Sequence, residues 1–359
     1  MTDSDYMERA LFWAERGRGR TSPNPLVGAV VVSTEGVVVG QGFHERAGAP
    51  HAEVRALDMA GSGARGAVLY CNLEPCCHVG RTGPCVERIV HSGIRRVVAA
   101  TEDPNPVVSG QGFAYLRAHG VEVGVGVEGA RATRLNQAFF TLMRERRPFV
   151  IMKAAISIDG YIASAPGRRT HLTSAAANRH VHRLRAEVDA IGVGIGTVLV
   201  DDPLLTVRGV YRGRPLGRVI FDRRLRTPPN ARVLSTCESG PVIIVTTPEG
   251  AAKSARADLE ARGAEIEVAA DGTFRAALET LAARQVGSLV LEGGAALHAA
   301  AWGEGLVDFV QLYVAPGRLD PDGVPFLDGR PFAASDLLDR RVETLGPDVL
   351  MEGYVHRPH

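Results

Sequence analysis

The side chains best suited to chemistry stand in three short clusters: His51-Ala52-Glu53, Pro75-Cys76 and Pro84-Cys85. One imidazole and two thiolates make a soft three-ligand set for zinc, and three ligands leave a fourth tetrahedral position for water, which marks a catalytic site. His51, Cys76 and Cys85 are therefore the candidate metal ligands, and one zinc ion is expected. Glu53, two residues after the histidine, is placed to take the proton of that water and hand it to a departing amine. Zinc lowers the pKa of water it binds, so the attack runs near neutral pH. Cys77 adjoins Cys76, but Pro75 precedes Cys76 as in the Pro-Cys pattern, so Cys77 is read as a bystander. Cys71 and Cys237 are read as packing residues.

This combination is the arrangement of zinc-dependent nucleobase deaminases. The elements that must hold it follow from periodicity. Tyr6–Arg16 repeats apolar residues at helical spacing, and Val27–Val32 reads as a buried strand with Val37–Val39 as its hairpin partner. A helix from His51 to Met59 would carry the histidine and glutamate on its first turn. A strand at Ala67–Asn72 runs into Glu74-Pro75-Cys76, followed by a helix at Val86–Ser92 and a strand at Arg96–Thr101. Strands alternating with helices predict an α/β layered domain. The charged run Arg144–Arg147, closed by Pro148, sets the expected boundary, giving domains 1–147 and 148–359. Beyond it, strands are expected at Phe149–Ile156, Ala190–Val193, Val219–Asp222, Val242–Thr246, Ser288–Leu291 and Phe309–Val314. Helices are expected at Ser174–Ala186, Ala251–Ala261, Phe274–Ala283 and Ala295–Ala301, so the second domain is also α/β.

A chain of 359 residues suits two domains. The formal charge of +1, from 41 basic and 40 acidic residues, gives no hint of a nucleic-acid binder. No apolar stretch is long enough to span a bilayer, and the acidic start Met1–Asp5 leads into no secretory core. Three of the five cysteines crowd into residues 76–85, which suits thiols in a reducing compartment. A cytoplasmic protein acting on small molecules is expected.

The spacer of eight residues between Cys76 and Cys85 is long for a nucleobase deaminase, whose cysteines commonly stand two apart. With Pro23-Asn24-Pro25 upstream and Asp103-Pro104-Asn105-Pro106 downstream, it resembles the deaminase half of the bifunctional riboflavin-biosynthesis deaminase–reductases. The second half resembles their reductase through Lys153 with Ser157-Ile158-Asp159-Gly160, Leu184-Arg185-Ala186, Gly196-Thr197, Asp201-Asp202-Pro203, Leu205-Thr206-Val207-Arg208 and Glu292-Gly293-Gly294. The resemblance implies a cytidine-deaminase-like α/β/α domain followed by a dihydrofolate-reductase-like domain. It also implies two reactions: deamination of 2,5-diamino-6-ribosylamino-4(3H)-pyrimidinone 5′-phosphate, then reduction of the ribosyl chain to ribityl with NADPH. Association through the reductase half into a homo-oligomer is implied as well.

By this resemblance Asn24, His44, His78 and Arg81 lie on the deaminase substrate side. An amide can read a base edge, and a guanidinium can hold a phosphate; a turn asparagine, a surface histidine and a solvated loop cation are the plain alternatives. Asp103 and Asn105 could equally form an Asx turn. In the reductase half, Ala155, His171, Thr197, Asp201, Arg223 and the run Gly294, Ala295, Ala296, Leu297, His298, Ala299, Ala300 map to the cofactor. Arg169, Arg185, Leu205, Arg208 and Glu292 map to the substrate. Glu292-Gly293-Gly294 between a strand and a helix suits a pyrophosphate seat, and Arg223-Arg224 suit a 2′-phosphate. Lys153 and Asp201 are the candidate catalytic polar groups beside the hydride path, since a lysine held by a carboxylate could stabilise developing charge. Two positions depart from the family pattern: Arg169 replaces the usual serine and His171 the usual tryptophan, leaving a half that binds but barely reduces as the rival reading.

Overall fold

In the computed structural model the chain forms two compact units, Met1–Glu145 and one beginning at Arg146. The structure describes residues 1–77, 83–106, 108–319, 322–330 and 332–356. The zinc-loop residues His78, Arg81 and Thr82 lie outside these.

The first unit opens with α1 (Asp3–Glu15), started by a capping box in which the Thr2 and Asp5 side chains and backbones pair reciprocally. Its elements continue as β1 (Gly28–Val32), β2 (Val38–Phe43), α2 (Ala52–Ala60), β3 (Val68–Cys71), α3 (Cys85–His91), β4 (Arg96–Ala99), α4 (Gln111–Ala118), β5 (Glu122–Val125), α5 (Gly129–Leu135) and α6 (Gln137–Glu145). The sheet order is β2-β1-β3-β4-β5, with β1 antiparallel to both neighbours and β3, β4 and β5 parallel. Strand β1 is buried along its whole length because both faces are covered. Ala52, Ala56, Leu57, Val86, Ile89 and Leu116 pack on one face, and Met7, Ala10 and Leu11 of α1 on the other. Helix α1 sits close enough to β1 that a Cβ at Gly28 would meet the Ala10 carbonyl oxygen at 2.1 Å. Likewise, a Cβ at Gly40 would lie 2.0 Å from the Ala56 carbonyl oxygen, so β2 accepts the α2 backbone only as glycine.

The second unit contains β6 (Phe149–Ser157), β7 (Tyr161–Ala163), α7 (Ala175–Glu187), β8 (Ala190–Gly194), α8 (Ile195–Asp201), β9 (Gly217–Phe221), β10 (Val242–Thr246), α9 (Pro248–Ala251), α10 (Ala255–Ala261), β11 (Ala264–Val268), α11 (Phe274–Ala283), β12 (Ser288–Leu291), α12 (Ala295–Gly303), β13 (Phe309–Ala315), β14 (Val324–Pro325), β15 (Leu338–Leu345) and β16 (Asp348–Tyr354). Nine strands form one sheet in the order β11-β10-β9-β8-β12-β6-β13-β16-β15. It is parallel from β11 to β13 and antiparallel at β16 and β15. Two apolar clusters cover its faces, one around Val150, Met152 and Leu289, the other around Ile191, Ile220 and Ile244. The single helix expected at Ala251–Ala261 is two short ones, because the Thr247 side chain caps a first turn that ends at Ala252. The closing β15–β16 hairpin was not expected. Seven of the eight β15 residues are exposed, so the strand has no apolar alternation to reveal it.

Candidate functional site

His51 is the N-cap residue of α2, which places its ring beside the first turn and brings Glu53 inward, where it is 3% exposed. Cys76 follows β3 through Asn72–Pro75, and Cys85 opens α3 after the cap residue Pro84. These elements bring His51 Nδ1, Cys76 Sγ and Cys85 Sγ within 4.8 Å of one another. His51 Nδ1 lies 3.2 Å from Cys85 Sγ and 3.5 Å from Cys76 Sγ. Tetrahedral zinc with bonds of about 2.3 Å to sulfur and about 2.0 Å to nitrogen needs N···S edges of roughly 3.6 Å. The donors therefore fit a zinc ion. The Cys85 backbone N–H points at Cys76 Sγ from 3.4 Å, adding the partial positive charge of a helix start.

The electrostatics suit a metal frame. Hydrogen bonds from Cys85 and His51 draw the Cys76 thiol down to about 4 against the opposing effect of burial, and the Cys76 hydrogen bond lifts His51 to about 9. Cys85 is raised, first by its bond to Cys76 and then by burial. Burial also raises the Glu53 carboxyl, and its Oε2 is buried without a hydrogen-bond partner. An acceptor without a protein partner beside three metal donors is available to meet a water or a reactant.

Asn24 and His44 come together beside this frame. The Asn24 amide nitrogen lies 3.0 Å from His44 Nε2, and His44 Nδ1 lies 3.3 Å from the Pro50 carbonyl oxygen. A neutral ring with its proton on Nδ1 satisfies both contacts, and burial lowers the His44 pKa accordingly. The His44 and His51 rings meet edge to face at 5.3 Å. Cys77 packs on the domain core. Asp103 does make an Asx turn, accepting from the Asn105 N–H at 2.8 Å, and burial pushes its pKa up to about 6.

Sequence reasoning missed Glu74. Its carboxylate accepts from the N–H groups of Asp103, Gly110 and Phe113 at 3.0–3.2 Å, tying Asp103 and the start of α4 to the segment that delivers Cys76. Its neighbours in sequence give no hint, because all three donors are backbone groups about 30 to 40 residues away.

In the second unit, Glu292 follows β12 and Gly293-Gly294 turns the chain into α12. Gly294 has φ of 80°, and a Cβ on Gly293 would lie 2.7 Å from Thr197 Oγ1, so the structure does seat Thr197 against this turn. Within the run that follows, Ala296 and Ala300 are exposed, whereas Ala295, Leu297, His298 and Ala299 face the interior. The His298 ring packs edge-on against Phe326, and burial lowers its pKa to about 4.

Arg185 Nε and Nη2 grip the two oxygens of Glu292 at 2.5 and 2.6 Å, and Nη1 donates to the Thr206 carbonyl at 2.8 Å. Arg185 and Arg208, both expected on the substrate side, thus differ in kind. Arg185 is locked in a buried bidentate pair, while Arg208 is exposed and uses its backbone N–H on His182 Nδ1. Arg212 supports the pair from behind by donating to the carbonyls of Arg185 and Ala186. Lys153 lies on β6, whose direct neighbour β12 delivers Glu292, whereas Asp201 ends α8 after the more distant β8. Burial lowers the Lys153 pKa, with Glu292 opposing and Arg185 adding to that effect. Leu205 is buried with φ of 52°, Ala155 is half-buried, and Arg169, His171 and Arg223 are exposed.

Comparison with known proteins bears on both units. Residues 1–101 match the cytidine and deoxycytidylate deaminase zinc-binding region, and residues 148–351 match the RibD C-terminal domain. The riboflavin biosynthesis protein RibD of Aquifex aeolicus is 40% identical over 352 residues, covering 97% of both chains. That of Escherichia coli K12 is 38% identical, covering 98% of this chain and 99% of the relative. Among solved structures, Acinetobacter baumannii RibD superposes with a TM-score of 0.87 at 36% identity, covering 98% of each chain. A Thermotoga maritima protein described as a diaminohydroxyphosphoribosylaminopyrimidine deaminase/5-amino-6-(5-phosphoribosylamino)uracil reductase gives 0.85 at 35% identity, covering 99% of each.

Proposed function

The chain belongs to the RibD family of riboflavin-biosynthesis proteins, and from that membership we propose how its residues divide the work. It is an enzyme with a zinc-dependent deaminase and an NADPH-dependent reductase activity. We assign the deamination to Met1–Glu145 and the reduction to the unit beginning at Arg146. The substrates are the phosphoribosylaminopyrimidine and its deaminated product, the latter reduced from ribosyl to ribityl. The observation that carries the deaminase assignment is the closure of His51, Cys76 and Cys85 into one donor set beside the unpaired Glu53 Oε2.

His51, Cys76 and Cys85 would hold the zinc, which would lower the pKa of water towards neutrality. Glu53 takes a proton from the attacking water and passes it to the leaving amine; its buried, otherwise unpaired oxygen supports this role. The Asn24 amide is held by His44 through one N–H and keeps its oxygen and second N–H for the edge of the pyrimidine. His78 and Arg81 are proposed for the substrate phosphate.

In the reductase, bound NADPH would supply a hydride to C1′ of the open-chain imine, with one proton taken up from solvent at the imine nitrogen. Lys153 faces the charge that shifts during transfer, and Glu292 with Arg185 shapes the substrate side together with Leu205. Arg208, Arg169 and Arg223 are exposed cations suited to phosphate groups, with Arg223 assigned to the 2′-phosphate. Ala155, Thr197, Asp201, His171 and Gly294–Ala300 are assigned to the cofactor. We assign the protein to the cytoplasm; no helix among the described residues is long and apolar enough to cross a membrane. A homo-oligomer through the second unit is supported by the exposed edge strand β15, where Val342 is 70% exposed.

The test is metal content and turnover in Cys76→Ser and Cys85→Ser. Both variants should lose zinc and ammonia release while reducing supplied deaminated intermediate. Full zinc and full ammonia release in either would refute the ligand assignment.

A further inference from the structure

The chain has 39 arginines and two lysines, Lys153 and Lys253. Lys253 is exposed and donates to the Arg224 carbonyl. Lys153 is different: among the described residues no acceptor hydrogen-bonds its ammonium. Glu292 is the acid that acts on it, but both Glu292 oxygens are gripped by Arg185. What lies against the ammonium is an aromatic face, with Lys153 Nζ 5.5 Å from the ring centroid of Tyr313.

That ring is fixed from several sides. Strands β6 and β13 are parallel, with Lys153 opposite Gln311 and Ala155 opposite Tyr313, so all four side chains share one face. The Tyr313 hydroxyl lies 2.7 Å from His180 Nδ1 on α7 and donates to Gln311 Oε1 at 3.3 Å. Gln311 is held in turn, since its Nε2 donates to Glu352 Oε2 at 2.9 Å. The ring is 0% exposed and packs with Ala177, Val181 and Leu350. The other charged or titratable groups that act on Lys153 are Arg185 and His182 on α7 and His298 on α12, besides Glu292.

We propose that Tyr313 is a positioning residue for the reduction: its ring face, kept in place by the packing of Ala177, Val181 and Leu350, holds the Lys153 ammonium. The inference rests on the reading that Lys153 serves hydride transfer. A compact ammonium without a hydrogen-bonded anion keeps its donors for substrate, and a π face steadies it without using one of them. An arginine would spread the charge over a plane and titrate out of reach. Burial disfavours the charged lysine, and the ring opposes that effect.

Two lysines make a direct test possible. Full-length protein labelled with ¹³C at lysine Cε gives one signal from Lys153 and one from Lys253, the latter an internal control. Tyr313→Phe keeps the ring, so the Lys153 midpoint should stay within a few tenths of a pH unit. Tyr313→Leu removes it, and the midpoint should fall by about one unit, as expected for a desolvated cation–π contact. With deaminated intermediate and NADPH, the alkaline limb of kcat should move to lower pH by a similar amount, with kcat about tenfold lower. Replacing residue 313 by phenylalanine of increasing fluorination keeps the shape and weakens the π face, so the midpoint should fall stepwise; this also covers a Leu variant that does not fold. An unmoved Lys153 midpoint in Tyr313→Leu or across the fluorinated series overturns the proposal, as does an equal shift in Tyr313→Phe. The underlying reading is tested separately with Lys153→Met: loss of reduction supports it, and undiminished reduction removes it whatever the Tyr313 titrations show.

Discussion

Replacing Glu53 by glutamine isolates proton transfer from metal binding. The side chain keeps its length and shape, its site is 3% exposed, and the metal donors His51, Cys76 and Cys85 are untouched. Burial already favours the neutral carboxyl, so a neutral amide imposes no new desolvation cost on the fold. What is lost is the ability of one oxygen, now without any partner, to accept and return a proton. General acid–base catalysis of this kind is worth roughly 10²–10⁴ in rate. Ammonia release should therefore fall by that factor, with KM for the pyrimidine changed by less than about threefold. Zinc content by atomic emission should stay at one ion per chain. Reduction of supplied deaminated intermediate should be unchanged. Ammonia release within about fivefold of the parent, with zinc retained, would refute the reasoning, because a general acid–base role is typically worth about 10²–10⁴ in rate.

Removing zinc with a chelator should abolish ammonia release and spare reduction; restoration by added zinc and a parallel loss of both activities are the outcomes that separate a local metal role from a global one. Arg185→Met leaves the Glu292 carboxylate buried without its partner and should destabilise the second unit by about 3–5 kcal/mol, read as an earlier urea transition, with reduction lost. For pH, Arg185 overcomes the upward push of burial and holds Glu292 below its usual range. The pair's contribution is then fully present above the ordinary glutamate pKa of about 4.3 and is lost as pH falls through the depressed folded-state value. Glu292→Gln should flatten that acid limb of the unfolding curve; an unchanged limb would contradict the linkage. Gly112→Ala would put a Cβ 2.2 Å from the Pro75 carbonyl oxygen. It should displace the Cys76 segment and cost about 1–3 kcal/mol, seen as faster zinc loss to a competing chelator.

The deaminase frame was legible because its parts are local. His51 and Glu53 sit on one helix start, and each cysteine follows a proline at the edge of an element, so residue type and spacing name the chemistry. The partners that make the site work were not, since they are joined only by folding. Arg185 meets Glu292 across 107 positions, and the Glu74 clamp acts on bare backbone N–H groups. That Glu292 acts on Lys153 was hidden for the same reason. Which carboxylate reaches a lysine depends on strand order, and β12 inserts between β8 and β6 although it comes far later in the chain. Buried strands such as β1 and β10 declared themselves as runs of valine and isoleucine. The exposed β15 had no such pattern, and β5, with glycine in its centre and no buried residue, had little more.

The central claim is that one chain deaminates and then reduces. Purified protein, zinc, the phosphoribosylaminopyrimidine and NADPH should together yield one ammonia and one oxidised NADPH per substrate consumed. Mass spectrometry should identify the product as the ribityl aminouracil phosphate. Ammonia release without NADPH oxidation, persisting when the deaminated intermediate is supplied directly, would contradict the account.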